Sequence, residues 1–228
     1  MISNTSLTID PSLINEAIND LPNTAVDLKS ILNHPTGDFF YKPWCLKPYY
    51  EGTVWEKILK TLPMNIGEAR IIRLEPEKSY VTHADIDDRY HLNLQGEYCY
   101  LIDLENENMY QCKCDGRWYD MDAGLLHTAS NFGNSPRIQL VVRKLLLPNV
   151  LNDPIEIEIV PNSTDQDDVR YAFDSKLSPW LNRANKRGII NNFSYKNKSV
   201  KFNIEKKLFN ELVNVIPTIL KMKHDYHY

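Results

Sequence analysis

At 228 residues, with 43% hydrophobic and 25% charged side chains, the chain has the balance of an ordinary globular protein and enough length to bury a sizeable core. A net charge of −4 and a pI near 5.9 provide no basic footprint, which argues against nucleic acid as a partner. No stretch approaches the roughly 18 apolar residues of a membrane span, and MISNTSLTID has neither the basic start nor the apolar centre of a signal peptide; a cytoplasmic protein is expected.

The first predicted element is a helix over residues 10–21. Asp10 caps it, Pro11 suits its first turn, and Leu13, Ile14, Ala17, Ile18 and Leu21 line one face before Pro22. A second, shorter helix is expected over Thr24 to Leu32. The run GDFFYKPWCLKPYYEG is too rich in Pro and aromatics for a helix and reads as strand and loop. Its Phe39, Phe40, Tyr41, Trp44, Tyr49 and Tyr50 serve either as packing or as a wall over a substrate. Thr53 and Glu56 form the capping box of a helix with Trp55, Ile58, Leu59 and Leu62 on one face. ARIIRLEP is then the first clear strand, and EKSYVT leads into the next.

From His91 onward the pattern reads as an antiparallel meander: HLNL, GEYCYLIDL, a turn at ENEN, MYQCKC, RWYDMD and RIQLVVRKLL. Asp115-Gly116 is read as a hairpin turn with positive φ at both central positions. Among the four cysteines, Cys45, Cys99, Cys112 and Cys114, the last two are one residue apart, which is neither a zinc pair nor a redox pair. Reduced thiols are expected. After Leu147, PIEIEIV alternates as a strand, residues 169–187 read as a helix broken at Ser178-Pro179, and Ile204, Leu208, Leu212, Val215, Ile216 and Ile219 mark a last helix kinked at Pro217. Lys221, Lys223 and His224 would complement its dipole. The expected class is mainly β with helices (α+β): a double-sheet core with N-terminal helices over residues 1–150, and a mostly helical C-terminal appendage over 151–228. Closing over a substrate and forming a homodimer are both open roles for that appendage.

The chemistry lies in the middle of the chain. His83-x-Asp85 turns an imidazole and a carboxylate to one side if both sit on one strand end, and His127 supplies a second imidazole. Two His and one carboxylate around a common point make the facial triad that leaves open positions on a non-haem Fe(II). Ten residues after His127 comes Arg137. Directed inward from a strand, its guanidinium needs an anionic partner, and a dicarboxylate supplies one through a bidentate fork. Asp87 and Asp88 read as solvated loop carboxylates, and Asn131 as a group that fixes a ligand's orientation. A hydrogen-bonded His83–Asp85 pair without metal is the plainer alternative.

His83-x-Asp85, His127 and Arg137 together resemble the Fe(II)/2-oxoglutarate-dependent dioxygenases, and within them the aspartyl/asparaginyl β-hydroxylase-like group that includes free-proline hydroxylases. The resemblance covers residues 67 to 147. Arg89-Tyr90-His91-Leu92 resembles that group's Arg-x-His-Leu strand, and the presence of Asp85 is similar to the proline-hydroxylase-like branch. Gly124-Leu-Leu-His127-Thr-Ala-Ser-Asn131 resembles the second cupin motif, while the first is absent.

This resemblance implies a double-stranded β-helix (a cupin-like jelly roll) with iron held by His83, Asp85 and His127. It implies 2-oxoglutarate bound through Arg137, with Arg89 and His91 as further cosubstrate contacts, and hydroxylation coupled to formation of succinate and CO2. The substrate is then a free, proline-like amino acid or a peptidyl Asp, Asn or Pro. Arg117 or Arg89, and Asp120 or Asp122, are the candidates to hold a free amino acid's carboxylate and amine. The competing class is a non-catalytic cupin-type module that binds a metal and an anion with the same residues.

Overall fold

The computed structural model of the chain describes residues 2–21, 29–63, 65–196, 198–216 and 220–225. Contacts divide it into two compact units, Met1–Val81 with Asp87–Leu145, and Thr82–Ile86 with Leu146–Tyr228. Both are built on antiparallel sheets, with a few short helices.

The first unit runs β1 (Ile2–Thr8), α1 (Ser12–Asn19), β2 (Lys29–Ile31), β3 (Asn33–Pro35), β4 (Trp44–Leu46), α2 (Val54–Leu59), β5 (Ile66–Leu74), β6 (Arg89–Gln95), β7 (Cys99–Asp103), β8 (Asn108–Gln111), β9 (Arg117–Met121), β10 (His127–Asn131) and β11 (Arg137–Lys144). α1 begins where expected: Asp10 Oδ1 accepts from the Ser12 N–H at 2.9 Å. Of the helix expected over Thr24 to Leu32, residues 24–28 lie outside the described residues and 29–31 form β2 instead. At α2 both expected residues cap the helix, each one residue away from the reciprocal capping-box pattern. Thr53 accepts from the Trp55 N–H, and the Glu56 carboxylate accepts from the Gly52 N–H at 2.8 Å.

The large sheet has the order β1-β9-β6-β11-β5-β2. Because side chains alternate along a strand, it has two faces of different chemistry. Ala69, Ile71, Leu92, Leu94, Trp118, Ile138, Leu140 and Val142 form one core with Ile14 and Ala17 of α1 and with Val54, Trp55 and Ile58 of α2. Each fully buried large apolar side chain there contributes about 1.5–3 kcal/mol. By register the other face carries Arg70, Ile72 and Leu74 on β5, Arg137, Gln139, Val141 and Arg143 on β11, Arg89, His91 and Asn93 on β6, and Tyr119 and Met121 on β9.

That second face meets the small sheet β10-β7-β8, where Tyr119 and Met121 pack with Leu101, Cys112 and Ala129. Consecutive strands therefore cross between two sheets: β6 in the large one, β7 and β8 in the small one, β9 in the large, β10 in the small, β11 in the large. This corrects the meander, in which each strand would pair with the next. Only the ENEN turn joins true neighbours, with Asp103 Oδ1 accepting from the Glu105 and Asn106 N–H groups. Asp115-Gly116 links the two sheets rather than closing a hairpin, and only Gly116 has positive φ, at 80°. The sheets do not close into one hydrogen-bonded barrel.

The second unit contains β12 (Pro154–Pro161), α3 (Gln166–Ala172), a π-helical stretch at Phe173–Leu177, α4 (Ser178–Lys186), β13 (Ile190–Lys196), β14 (Ser199–Glu205), α5 (Phe209–Val213) and β15 (Leu220–Asp225). Its sheet has the order β13-β14-β12-β15. The alternation in PIEIEIV is realised: Ile155, Ile157 and Ile159 are buried and lie opposite Ile204, Phe202 and Val200. Trp180 of α4 packs on Phe202 with ring centroids 6.0 Å apart. The mostly helical appendage is thus corrected to a four-stranded sheet with short helices. Ile204 lies in β14, Leu212 in the one-turn α5, and Lys221, Lys223 and His224 in β15; Pro217 and Ile219 lie outside the described residues. Isoleucines two apart on a strand and four apart on a helix both produce an apolar face, and the sheet won. No helix among the described residues is long and apolar enough to cross a membrane.

Candidate metal centre

His83 and Asp85 do not sit on a strand end. They lie in an irregular segment, residues 78–88, between β5 and β6. Its order comes from the strands it runs along. At its entry, the Glu77 N–H donates to the Asn131 carbonyl and the Asn131 N–H to the Lys78 carbonyl, both at 2.9 Å, and the Tyr80 N–H donates to the Ala129 carbonyl at 3.0 Å. Thr128 Oγ1 donates to the Tyr80 carbonyl at 2.6 Å, and the Ser79 and Ser130 hydroxyls share a 2.7 Å hydrogen bond. At its exit, the Lys144 N–H donates to the Asp88 carbonyl at 2.8 Å, and Asp88 Oδ1 accepts from the Ala123 N–H at 3.3 Å. The entry and exit of the segment are therefore fixed to β10, the strand that His127 opens, and to β11, the strand that Arg137 opens.

His83, Asp85 and His127 each offer one ligand atom, and these atoms all lie within 4.8 Å of one another. Among the described residues this is the one such group of His, Cys, Asp or Glu. Nε2 of His83 stands 3.8 Å from Oδ2 of Asp85, with the side chains 24% and 17% exposed. That separation is within ion-pair reach and longer than a direct hydrogen bond between these two atoms. His127 is buried, and its Nδ1 is 2.8 Å from the Leu125 carbonyl. A carbonyl only accepts, so Nδ1 carries a proton, and in the neutral ring the lone pair is on Nε2. Two imidazoles and a carboxylate suit a divalent transition metal, Fe(II) included.

Arg137 is 1% exposed, and its Nε and Nη2 have no hydrogen-bond partner among the described residues. These two nitrogens form one edge of the guanidinium, the edge that presents parallel N–H groups to a carboxylate. On the same face, the buried Nε2 of His91, Nε2 of Gln139 and Oδ1 of Asn93 also lack partners. Gln139 and Asn93 are paired in register. Sequence reasoning missed both, though strand parity marks them, since each lies two residues after a named candidate. Burial, then the charges of Arg137 and Arg89, hold the His91 imidazole down at about 3, with Nδ1 3.4 Å from Gln139 Oε1. His91 is therefore neutral at physiological pH.

No family model matches the chain, and no curated protein does. Among solved structures the chain is similar to one titled "Crystal structure of CapF with inhibitor 3-isopropenyl-tropolone", at 13% identity and a TM-score of 0.30, over 35% of this chain and 25% of that one. The match spans about a quarter of that chain's length.

Other expected residues take different places. Asp87 is not a solvated carboxylate: it is 4% exposed, accepts a hydrogen bond from Arg143 Nε, and has Arg89 Nη2 3.8 Å from its other oxygen. Asn131 fixes backbone rather than a ligand, donating to the Leu74 and Ser135 carbonyls and accepting from the Gly133 N–H. Asp120 projects to the helix-covered face, where its Oδ2 binds Lys144 Nζ at 2.5 Å. Asp122 accepts from the Gly124 N–H at 3.3 Å. Arg117 borders a separate cavity of about 400 Å³ with Ser3, Asn4 and Met109. Phe39 and Phe40 stack on the Arg143 guanidinium at 4.3 and 4.7 Å. The four cysteines are free, and burial pushes the Cys112 thiol up to about 11.

Proposed function

We propose that this chain is an Fe(II)- and 2-oxoglutarate-dependent hydroxylase on a jelly-roll scaffold, acting on an amino acid. The observation that carries the reading is the unpaired edge of buried Arg137 on a polar sheet face. An uncompensated buried guanidinium costs several kcal/mol, and a dicarboxylate is the ligand that would relieve it. The convergence of His83, Asp85 and His127 supports the metal half, and the crossing of strands between two sheets supports the scaffold.

When bound, the metal would supply oxygen activation coupled to the oxidative decarboxylation of 2-oxoglutarate to succinate and CO2. The chain's own residues position and shield. His83, Asp85 and His127 would hold the metal, a donor set of three that would leave it able to take cosubstrate and oxygen. The Leu125 carbonyl keeps the His127 ring in the ligating tautomer. Nε and Nη2 of Arg137 grip the distal carboxylate, and Gln139 and Asn93 offer neutral hydrogen-bonding groups beside it. His91, being neutral, adds a polar contact without a second cation. The reading is tested by succinate release from 2-oxoglutarate across a panel of amino acids and peptides, with Fe(II) present. Release that needs Fe(II) and is lost in His127→Ala supports it; no release under any condition overturns it.

A further inference from the structure

Ala84 lies between His83 and Asp85, and its N–H donates to the main-chain carbonyl of Asp174 at 3.0 Å. Asp174 belongs to the π-helical stretch Phe173–Leu177, set between α3 and α4. Such stretches interrupt the regular hydrogen-bond ladder and are frequent at functional sites. Neither Asp174 nor the π-turn carries a local sequence signal, and the residue entered no motif.

The side chain of Asp174 is 23% exposed. Its carboxyl is pushed up by burial, is opposed by Arg170 and His83, and is affected by the charge of Asp85. Its side-chain partner is Arg170, one turn earlier, with Nε at 3.3 Å and 64% exposure. A surface i,i+4 pair of this kind is weak. Asp174 is also outside the group of converging ligand atoms. Beside two proposed ligands there is thus a carboxylate that neither joins them nor is strongly held by another cation.

We propose that Asp174 recognises the ammonium group of a free amino-acid substrate. This inference rests on the hydroxylase reading and narrows it. A free amino acid carries a cation that a peptidyl or N-acylated residue lacks, and a half-buried carboxylate is the group that distinguishes them through a charge-assisted hydrogen bond. A neutral amide at the same place would leave the carboxylate desolvated and without a counter-charge. Asp174 is then a specificity residue contributed by the segment that also pins Ala84.

The test measures two quantities on the full-length protein. The charge-transfer band of the anaerobic Fe(II)–2-oxoglutarate complex reports the hydroxylase reading. Succinate release with every proteinogenic amino acid, each free and N-acetylated, reports Asp174. The expected result is a band in wild type and in Asp174→Asn, release with at least one free amino acid and not with its N-acetyl form, and a KM raised about tenfold or more in Asp174→Asn with a smaller change in kcat. Asp174→Glu, which keeps the charge, should recover part of the loss. Equal use of N-acetylated forms, no release with any free amino acid, or an unchanged KM in Asp174→Asn overturns the role of Asp174 while the band stands. Absence of the band in wild type overturns both. The free-versus-acetylated comparison needs no variant, so misfolding of Asp174→Asn does not rescue the idea.

Discussion

Nε of Arg143 donates a hydrogen bond to Oδ2 of Asp87, and neither side chain is more than 6% exposed. Asp87 is two residues beyond the proposed ligand Asp85, and Arg143 is the next to last residue of β11, so the pair holds the exit of the 78–88 segment to the sheet. Arg89 approaches the same carboxylate, and Phe39 and Phe40 cover the Arg143 guanidinium.

Removing one partner of a buried ion pair leaves the other charge uncompensated, at a cost of about 3–5 kcal/mol. Arg143→Ala should therefore lower the free energy of unfolding in urea by that amount and weaken Fe(II) binding together with it. Arg143→Lys, which keeps the charge but not the planar group under the two Phe rings, should lose less. Full stability in Arg143→Ala would remove the pair from the account of the site.

Arg137 should behave in the opposite sense. Its unpaired edge is a cost to the empty protein, so Arg137→Met should match or exceed wild-type thermal stability without ligand. It should also lose the stabilisation that millimolar 2-oxoglutarate confers on wild type. Thermal unfolding with and without 2-oxoglutarate decides it. A large loss of stability in the ligand-free variant would instead point to a structural partner for the guanidinium.

His91 fixes the direction of a pH effect. Its pKa is lowered from 6.5 to about 3 by burial and by Arg137 and Arg89. The unfolded chain takes up a proton as pH falls through 6.5, while the native protein resists until about 3. The contribution to stability is therefore fully present above pH 6.5 and is lost progressively as pH falls towards 3. The stability difference between pH 7 and pH 4.5, measured by urea unfolding, should be smaller in His91→Gln than in wild type. An equal difference would mean that His91 is protonated in the native protein.

How much of this was legible in the sequence follows from what each signal reports. Strand parity and apolar alternation are local, and they marked β5 to β9, β11 and β12; β10, the short polar run HTASN, does not alternate and was not read as a strand. The capping signal at Thr53 and Glu56 is local too. Pairing is not local: Asp115-Gly116 has the composition of a hairpin turn, yet the strands on either side join different sheets, because burying both large-sheet faces outweighs pairing β8 with β9. The triad residues were readable as types and spacing, but the loop carrying His83 and Asp85 was read as a strand. The backbone bonds at its entry and exit go to β10 and β11, and that of Ala84 goes to the Asp174 carbonyl, all far along the chain. Asp174 is more distant still and had no motif to announce it. The last strand was read as a helix because an apolar face alone does not separate the two periods over a short run.

The linker between the sheets offers a prediction about the fold alone. Gly116 has φ near 80°, and a Cβ there would stand 2.7 Å from the Ile9 carbonyl oxygen, which accepts no relief from a flexible side chain. Gly116→Ala should cost roughly 1–3 kcal/mol in urea unfolding while Fe(II) affinity of the folded protein stays unchanged. A neutral effect would mean that the turn relaxes freely.

The central claim is that one metal and one dicarboxylate bind together at His83, Asp85, His127 and Arg137. Anaerobic titration of the purified protein with Fe(II) and then 2-oxoglutarate, followed by ultraviolet-visible absorption, tests it without knowledge of the substrate. The account predicts a weak metal-to-ligand charge-transfer band that is absent in Asp85→Ala and needs far more 2-oxoglutarate in Arg137→Ala. Fe(II) binding with no band at any 2-oxoglutarate concentration would contradict it and leave a metal-binding module in its place.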